Sequence, residues 1–267
     1  MPHLLVERLR ECPKVLDCAC LRNSGFPFHA IAVETSDLVA GIIFVVGSYC
    51  FLPEYSKDLK VFLAGCVLYV VGGVIYMLIS LCTLIEALIH HKSFTLEVFE
   101  HFLYAIGSWL FLAGTVLYWP KKAHYDYIET MKGFALGQYF NFFSPEFEGT
   151  VLFALGSVLF AFAAFTNALN HRKFEAEMSQ MLTAVTTIDM AGDMLFIIGS
   201  VAFLPDLGCN DKMLAIGAWS FIVGSVFFVV GALISIYRTL RIWRTQEREA
   251  LLPANKALGA GEHEGLT

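Results

Sequence analysis

Charged residues are scarce in this chain of 267 residues: Asp, Glu, Lys and Arg make up 16% of it, against 57% hydrophobic residues. A soluble domain usually carries about 25% charged residues, so the composition argues against a water-soluble globular protein. No basic cluster with interleaved aromatic residues occurs, and we therefore expect no nucleic-acid partner. The net charge of −6 points to no partner either, because the charges of membrane proteins collect in loops.

Enzyme and cofactor motifs are also missing. The sequence contains no G-x-S-x-G, H-E-x-x-H, Walker-type phosphate loop or C-x-x-C spacing. These short patterns organise many hydrolase, metalloprotease, nucleotide and redox sites. The seven cysteines show no repeated metal-ligand spacing. We therefore predict no enzymatic activity, no metal and no cofactor.

No cleavable signal sequence is evident, because residues 1–28 mix charged and apolar residues without a continuous apolar region. Apolar residues recur there at roughly helical spacing, which predicts an amphipathic segment on the cytoplasmic surface of the membrane. The same segment contains Cys12, Cys18 and Cys20. They are reduced surface thiols in one interpretation, and palmitoylated or metal-binding in two others.

Long apolar runs are what the chain has in abundance. Six of them reach the ~20 residues that a helix needs to cross a hydrocarbon layer of ~30 Å. Continuous runs do not show the alternating pattern of a membrane barrel. The sequence therefore predicts an all-α integral membrane protein with six transmembrane helices. The predicted spans are residues 30–52, 60–82, 98–119, 149–169, 183–204 and 213–236.

An internal repeat pairs these spans into hairpins. Moving the chain by 152 residues aligns residues 33–88 with 185–240 without a gap, and 16 of the 56 positions are identical. A repeat of this length indicates duplication of one structural unit. The middle pair of spans is a diverged third copy, with Phe111, Gly114 and Pro120 at matching spacing. Each copy contains the pattern F-x-x-G-[ST]-x-x-[FY]-[LW]-P, whose proline ends the first helix.

The repeat predicts three two-helix hairpins, at residues 29–92, 93–173 and 174–246. The middle hairpin contains a long loop at 121–148, whose Tyr and Phe content suits the headgroup region. Residues 247–267 are expected to form a disordered cytoplasmic tail. Lys and Arg number 12 on the side of both termini and 6 on the opposite side. The positive-inside rule then places both termini in the cytoplasm.

Glycine and serine recur at fixed spacing in the predicted spans. Gly65 and Gly72 are seven residues apart, as are Gly217 and Gly224, so each pair lies on one stripe of its helix. Small residues allow helices in lipid to approach closely. We therefore predict that the stripes mediate helix packing, and that Gly-Ser pairs do the same in the first helix of a hairpin. These pairs are Gly47-Ser48 and Gly199-Ser200.

The last repeat carries the fullest version of the pattern. Its residues are Asp189, Phe196, Gly199, Ser200 and Pro205, followed by Gly217, Trp219, Phe221, Gly224 and Ser225. This sequence resembles the YrhK-like domain, a small membrane hairpin. The first repeat is similar but has Val67 in place of the tryptophan, and the middle one has Tyr104 in place of the acidic residue. The resemblance implies a membrane hairpin and no known reaction, since the family has no assigned function.

Acidic residues within apolar spans are costly, and each is a hypothesis of function. Asp37 and Asp189 occupy equivalent positions, and Asp193 lies one helical turn deeper than Asp189. A buried acid needs a proton or a polar partner, for which His101 at the start of the third span is a candidate. In one interpretation these residues cap and pack the helices. In the other they line a path for an ion or a proton.

Two functional classes follow from these observations. A structural or accessory membrane protein would use its packed hairpins to bind the lipid bilayer, a protein partner or a second copy. A small-solute or ion transporter, coupled to protons, would move its cargo past Asp193. Transporters usually contain broken helices with polar backbone at mid-membrane, whereas Gly-Ser pairs are the only interruptions here. The sequence therefore favours the first class.

Overall fold

The computed structural model describes five stretches of the chain: residues 28–90, 95–117, 145–170, 176–204 and 211–261. All regular elements in these stretches are α-helices, which confirms the all-helical prediction for them. Six helices are long and apolar enough to cross a membrane, and we number them in chain order. They are α1 (Phe28–Tyr49), α2 (Leu59–His90), α3 (Leu96–Leu117), α4 (Pro145–Asn170), α5 (Ala176–Ala202) and α6 (Asp211–Gly261).

Two predicted regions fall outside the described residues. Residues 1–27 contain the predicted amphipathic segment with Cys12, Cys18 and Cys20, and residues 121–144 make up most of the predicted aromatic loop. The described helices otherwise begin and end within a few residues of the predicted spans at most ends.

Helix α6 differs most from the prediction. We expected the sixth span to end near Ile236 and residues 247–267 to form a disordered tail, but the helix continues to Gly261. The added residues are rich in Arg, Glu, Leu and Ala, which are strong helix formers. This local preference favours a helix as far as Leu252, whereas Pro253 lacks the amide hydrogen that a helix interior uses.

The motif that ends in F-L-P closes α1 and α5 in the same manner. After α1, the Phe51 amide donates to the Ser48 carbonyl at 3.0 Å, and after α5 the Phe203 amide donates to the Ser200 carbonyl at 3.1 Å. Bonds between residues three apart are typical of the tightened last turn of a helix. Pro53 has no amide hydrogen with which to continue the helix, so the chain turns at this point.

Side-chain caps begin α2 and α3. Asp58 Oδ1 accepts a hydrogen bond from the Lys60 amide at 2.9 Å, and Thr95 Oγ1 accepts one from the Val98 amide at 3.3 Å. Such oxygens satisfy amides of the first turn, which have no partner within the helix. The Thr95 cap therefore marks the start of α3 at Leu96.

Two compact units are distinguished within the chain. Among the described residues, one lies within 36–232, and the other comprises 28–35 and 233–261. Helices α1 and α6 contribute residues to both units. The larger unit is a helical bundle that contains the aromatic core described next, and the smaller one contains a buried ion pair.

Six aromatic rings, one from each helix, form the aromatic core of the larger unit. They are Phe44, Tyr69, Phe111, Phe153, Phe196 and Phe221. The rings of the three odd-numbered helices contact one another, with centroids 5.4–6.3 Å apart. Those of the even-numbered helices form a second triangle, with centroids 5.5–6.1 Å apart. These spacings are typical of attractive aromatic pairs, so all six helices meet at this core.

Glycines of the first and last hairpins receive the core rings. The contacts are Phe44–Gly72, Tyr69–Gly47, Phe196–Gly224 and Phe221–Gly199. A side-chain carbon added at any of these glycines would lie 2.6–2.9 Å from the facing ring, which is closer than non-bonded carbon atoms approach. Gly65 and Gly217 face Phe51 and Phe203 in the same way, at 2.9 and 2.7 Å. A ring on one helix thus occupies the space that a glycine leaves open on the paired helix.

The middle pair of helices approaches even more closely. A side-chain carbon at Gly114 of α3 would lie 2.6 Å from the Gly149 carbonyl oxygen, and one at Gly156 of α4 would lie 2.8 Å from the Gly107 carbonyl oxygen. Here the backbones themselves come into contact. Any larger residue at these positions would force α3 and α4 apart.

A Ser or Thr hydroxyl lies one turn beyond five of the six rings and donates to the carbonyl of the ring-bearing residue at 2.6–3.1 Å. The five residues are Ser48, Thr115, Ser157, Ser200 and Ser225. The sixth position, after Tyr69, is Gly73, and the Tyr69 hydroxyl instead bonds to Ser48 Oγ at 2.6 Å. Hydroxyl groups in a helix interior are commonly satisfied by such back-bonding.

Candidate functional site

The first halves of α1, α3 and α5, before their core rings, carry ionisable side chains. In α3, Glu100 and His101 follow the Thr95-capped turn, and each is 1% exposed. In α5, Asp193 is 3% exposed. A polar group removed this fully from water requires a hydrogen bond, a counter-charge or a proton.

Tyr104 of α3 lies within electrostatic range of several of these groups. Its side chain interacts electrostatically with the carboxyl groups of Asp37, Glu100, Asp189 and Asp193. These carboxyl groups belong to α1, α3 and α5, so three helices contribute charge around the tyrosine. We call Asp37, Glu100, Tyr104, Asp189 and Asp193 the acidic cluster.

The internal repeat relates three members of the acidic cluster. The offset of 67 residues that aligns the core rings of α1 and α3 places Asp37 on Tyr104, and the offset of 152 residues places it on Asp189. One position of the repeat therefore supplies three of the five residues. Asp193 and Glu100 come from positions that are not acidic in the other two repeats.

A glycine in α6 makes room for Asp189. A side-chain carbon at Gly231 would collide with Asp189 Oδ1, so a larger residue there would displace the carboxyl group. Asp193 lies one turn further along α5, and the two carboxyl groups interact electrostatically. Like charges one turn apart repel. A bound proton or a positive charge beside the two carboxyl groups would therefore lower the energy of the pair.

Glu100 has the clearest unsatisfied polar atoms in the acidic cluster. Among the described residues, neither of its carboxylate oxygens has a hydrogen-bond partner. A buried group of this kind calls for an explanation such as a bound proton, water molecule or ion. Within the described part of the chain, no group of three or more His, Cys, Asp or Glu side chains is arranged to hold a metal ion.

The smaller unit contains a separate ionic contact. Arg238 Nη2 of α6 lies 3.8 Å from Glu34 Oε1 of α1, and both residues are buried. Removing one partner of a buried pair is strongly destabilising, because the other is left as an uncompensated charge. Sequence reasoning missed this contact, since more than two hundred residues separate Glu34 and Arg238 and no motif links them.

The sequence placed Asp37, Asp189 and Asp193 on one candidate path, and in the structure all three lie within electrostatic range of Tyr104. The fourth predicted residue, His101, lies three residues before Tyr104 on α3 and is buried. Sequence reasoning did not recognise Tyr104 as the centre of the group. The alignment of the repeats carried the necessary signal, because it sets Tyr104 at the position of Asp37.

Two parts of the chain match a known family model. Residues 28–88 and residues 180–240 each match the family described as YrhK-like protein. The matches coincide with the first and last pairs of helices and confirm the resemblance noted for those repeats. No curated protein and no solved structure matches the chain. The family and the six apolar helices indicate a membrane protein without an assigned activity.

Proposed function

We propose that the chain is a multi-pass integral membrane protein that crosses the bilayer six times, with both termini in the cytoplasm. The distribution of apolar side chains carries this proposal. Large apolar residues are exposed on all six helices, including Trp109 at 61% and Phe162 at 58%. Soluble monomers rarely expose contiguous apolar surfaces of this kind, whereas lipid covers them. The Lys and Arg asymmetry supports the orientation.

Protease protection tests this topology. One tag is placed after Thr267 and another within residues 121–148, and the protein is inserted into sealed vesicles. We expect protease on the cytoplasmic face to remove the first tag and to leave the second intact. Vesicles opened with detergent serve as the control, since both tags are then accessible. Tags that are cleaved from the same side of sealed vesicles would contradict the model.

We further propose that the three helix pairs are copies of one hairpin arranged around a common axis, and that the middle copy also belongs to the YrhK-like family. The core supports this, because each pair supplies one ring to each triangle, including Phe111 and Phe153 of the middle pair. The close backbone contacts at Gly114 and Gly156 are the middle counterpart of the ring-to-glycine contacts in the other pairs.

Within this arrangement we assign the protein a structural or accessory role, with no reaction, cofactor or metal. Its helices would bind the bilayer and a protein partner or second copy, and no nucleic acid. Support comes from the helices, each of which runs without a break through its apolar segment. Transporters more often place a broken helix at the midplane. Reconstituted protein should therefore give no more proton or cation flux than protein-free vesicles.

A proton- or cation-handling function is the second candidate, and the acidic cluster is the observation that favours it. Four carboxyl groups interact electrostatically with Tyr104, and neither oxygen of the Glu100 carboxyl group has a hydrogen-bond partner among the described residues. Ionisable residues inside a bundle often mark proton relays. A flux that depends on Asp193 in the reconstituted protein would support this candidate against the first.

A further inference from the structure

The ion pair of the smaller unit joins two different hairpins, because Glu34 lies on α1 and Arg238 on α6. The repeat offsets identify the equivalent residues at the next junction between hairpins. Glu34 maps onto His101 by the offset of 67 residues, and Arg238 maps onto Glu86 by the offset of 152 residues. His101 lies on α3 and Glu86 on α2, which again belong to different hairpins.

Helix register allows this mapping to be tested. At the junction of α6 with α1, a side-chain carbon at Gly41 would lie 3.0 Å from Val229 Cγ2. The same offsets align Gly41 with Ser108 of α3 and Val229 with Met77 of α2. If the two junctions are equivalent, α2 and α3 must therefore contact each other in a register that sets Met77 opposite Ser108.

The contact between α2 and α3 has this register. A side-chain carbon at Gly73 would lie 3.2 Å from Leu112 Cδ1. Met77 follows Gly73 by four residues, and Ser108 precedes Leu112 by four residues. Equal steps in opposite directions connect facing positions of two antiparallel helices. The contact cited at the α2–α3 junction is thus consistent with the register of the contact cited at the α6–α1 junction.

The same steps lead from this register to the polar residues. Glu86 lies nine residues after Met77, just as Arg238 lies nine residues after Val229. His101 lies seven residues before Ser108, just as Glu34 lies seven residues before Gly41. His101 is 1% exposed and Glu86 is half-buried. Imidazole nitrogens donate to carboxylate oxygens, so the two side chains are chemically complementary.

We propose that Glu86 and His101 form a polar contact between α2 and α3 that, with the Glu34–Arg238 pair, fixes the order of the hairpins around the bundle. This inference rests on the proposed three-hairpin arrangement. The acid stands on the odd-numbered helix at one junction and on the even-numbered helix at the other. In the reversed order of hairpins, Arg238 would face His101 instead of Glu34. Unfavourable pairings of this kind are a common source of specificity among similar partners.

A double-mutant cycle in the full-length protein tests the contact. The variants are Glu86→Gln, His101→Gln and the two together, and the readout is the midpoint of thermal unfolding in detergent. The contact can be lost only once, so we expect the double variant to shift the midpoint by clearly less than the sum of the two single shifts. Additive shifts would overturn the proposal, because residues that do not interact behave additively. Glu86→Gln combined with Asp58→Asn, at the far end of α2, is the additive control.

Charge exchange gives the sharper test. Glu86→Arg with His101→Glu rebuilds, between α2 and α3, the residues of the α6–α1 junction. We expect His101→Glu alone to lower the unfolding midpoint, because it sets a second carboxyl group against Glu86, and we expect the double variant to recover it. A double variant as unstable as His101→Glu alone would overturn the pairing. Such a failure is distinguishable from failure of the membrane proposal, which protease protection tests without these residues.

Discussion

The aromatic core and the acidic cluster lie on the same helices but use the internal repeat differently. In the core, each pair of helices supplies two rings at the same two positions of the repeat. In the acidic cluster, one repeat position holds Asp37, Tyr104 and Asp189, while Asp193 and Glu100 have no acidic counterpart in the other copies. The three copies are therefore alike where they pack and unlike where they carry charge.

Packing explains why the core positions stay alike. A ring such as Phe196 fits against Gly224 so closely that neither residue can be enlarged without moving the other. Protein interiors are close-packed, and a change of even one methylene group is felt. The polar positions are under a different constraint, since a buried hydroxyl, imidazole or carboxyl group needs a hydrogen-bond partner rather than one particular shape. The charged half of the bundle is thus where the copies were free to differ.

Removal of a core ring is expected to have the largest effect of the changes considered. Phe196→Ala would leave a cavity among the remaining rings, and we expect it to lower the free energy of unfolding by about 4 kcal/mol. Phe162 on α4 is the matched control, because it is 58% exposed and its replacement should cost about 0.5 kcal/mol. Unfolding in mixed micelles measures both. Equal losses at the two positions would show that the rings do not form a core.

Glycine replacement is expected to have the next largest effect. Gly72→Leu and Gly224→Leu would each drive a side chain into a core ring, and we expect each to lower the free energy of unfolding by about 2 kcal/mol. The adjacent residues Val71 and Val223 are exposed, so Val71→Leu and Val223→Leu add bulk outside the interface and serve as controls. If both glycine variants keep wild-type thermal stability in detergent, the glycines do not mediate helix contact.

The six helices and their close packing, which follow the internal repeat, could be predicted from the sequence. Apolar runs gave the six helices, and the equal spacing of Gly65 and Gly72 with Gly217 and Gly224 indicated close packing before any contact was known. These signals are local or periodic. The extension of α6 to Gly261 was not predicted because the residues after Pro253 are small and polar, a composition typical of disordered tails.

The acidic cluster could be predicted only in part. Asp193 stood out because an acid within an apolar run is unusual. Glu100 drew less attention because it lies near the start of its helix, where acids are ordinary. Its burial depends on how α3 packs in the bundle, and the role of Tyr104 depends on three helices that are distant in sequence. Contacts of this kind follow from tertiary packing, which no local pattern encodes.

Loss of one buried hydroxyl is expected to have a smaller effect than either change in packing. Tyr69→Phe keeps the core ring and removes its 2.6 Å hydrogen bond with Ser48. We therefore expect the free energy of unfolding to fall by about 1 kcal/mol. Tyr49→Phe is the control, since Tyr49 is 50% exposed and its hydroxyl lies 3.4 Å from that of Tyr55. Chemical denaturation in micelles compares the two variants. A Tyr69→Phe protein as stable as the wild type would mean that this hydroxyl plays no part in stability.

Asp193→Asn is expected to have the smallest effect on stability, and it separates the two candidate functions. Asparagine keeps the size of the side chain and, like a protonated carboxyl group, both donates and accepts hydrogen bonds, and an isolated charge at the membrane centre costs at least about 2.5 kcal/mol. We therefore expect a neutral or stabilising change, with solute flux into proteoliposomes unaltered. Asp211→Asn, at the exposed start of α6, controls for the loss of one acidic residue. If Asp193 handles a proton or cation, its well-folded Asn variant would instead lose pH- or ion-dependent uptake, and the structural role proposed here would be wrong.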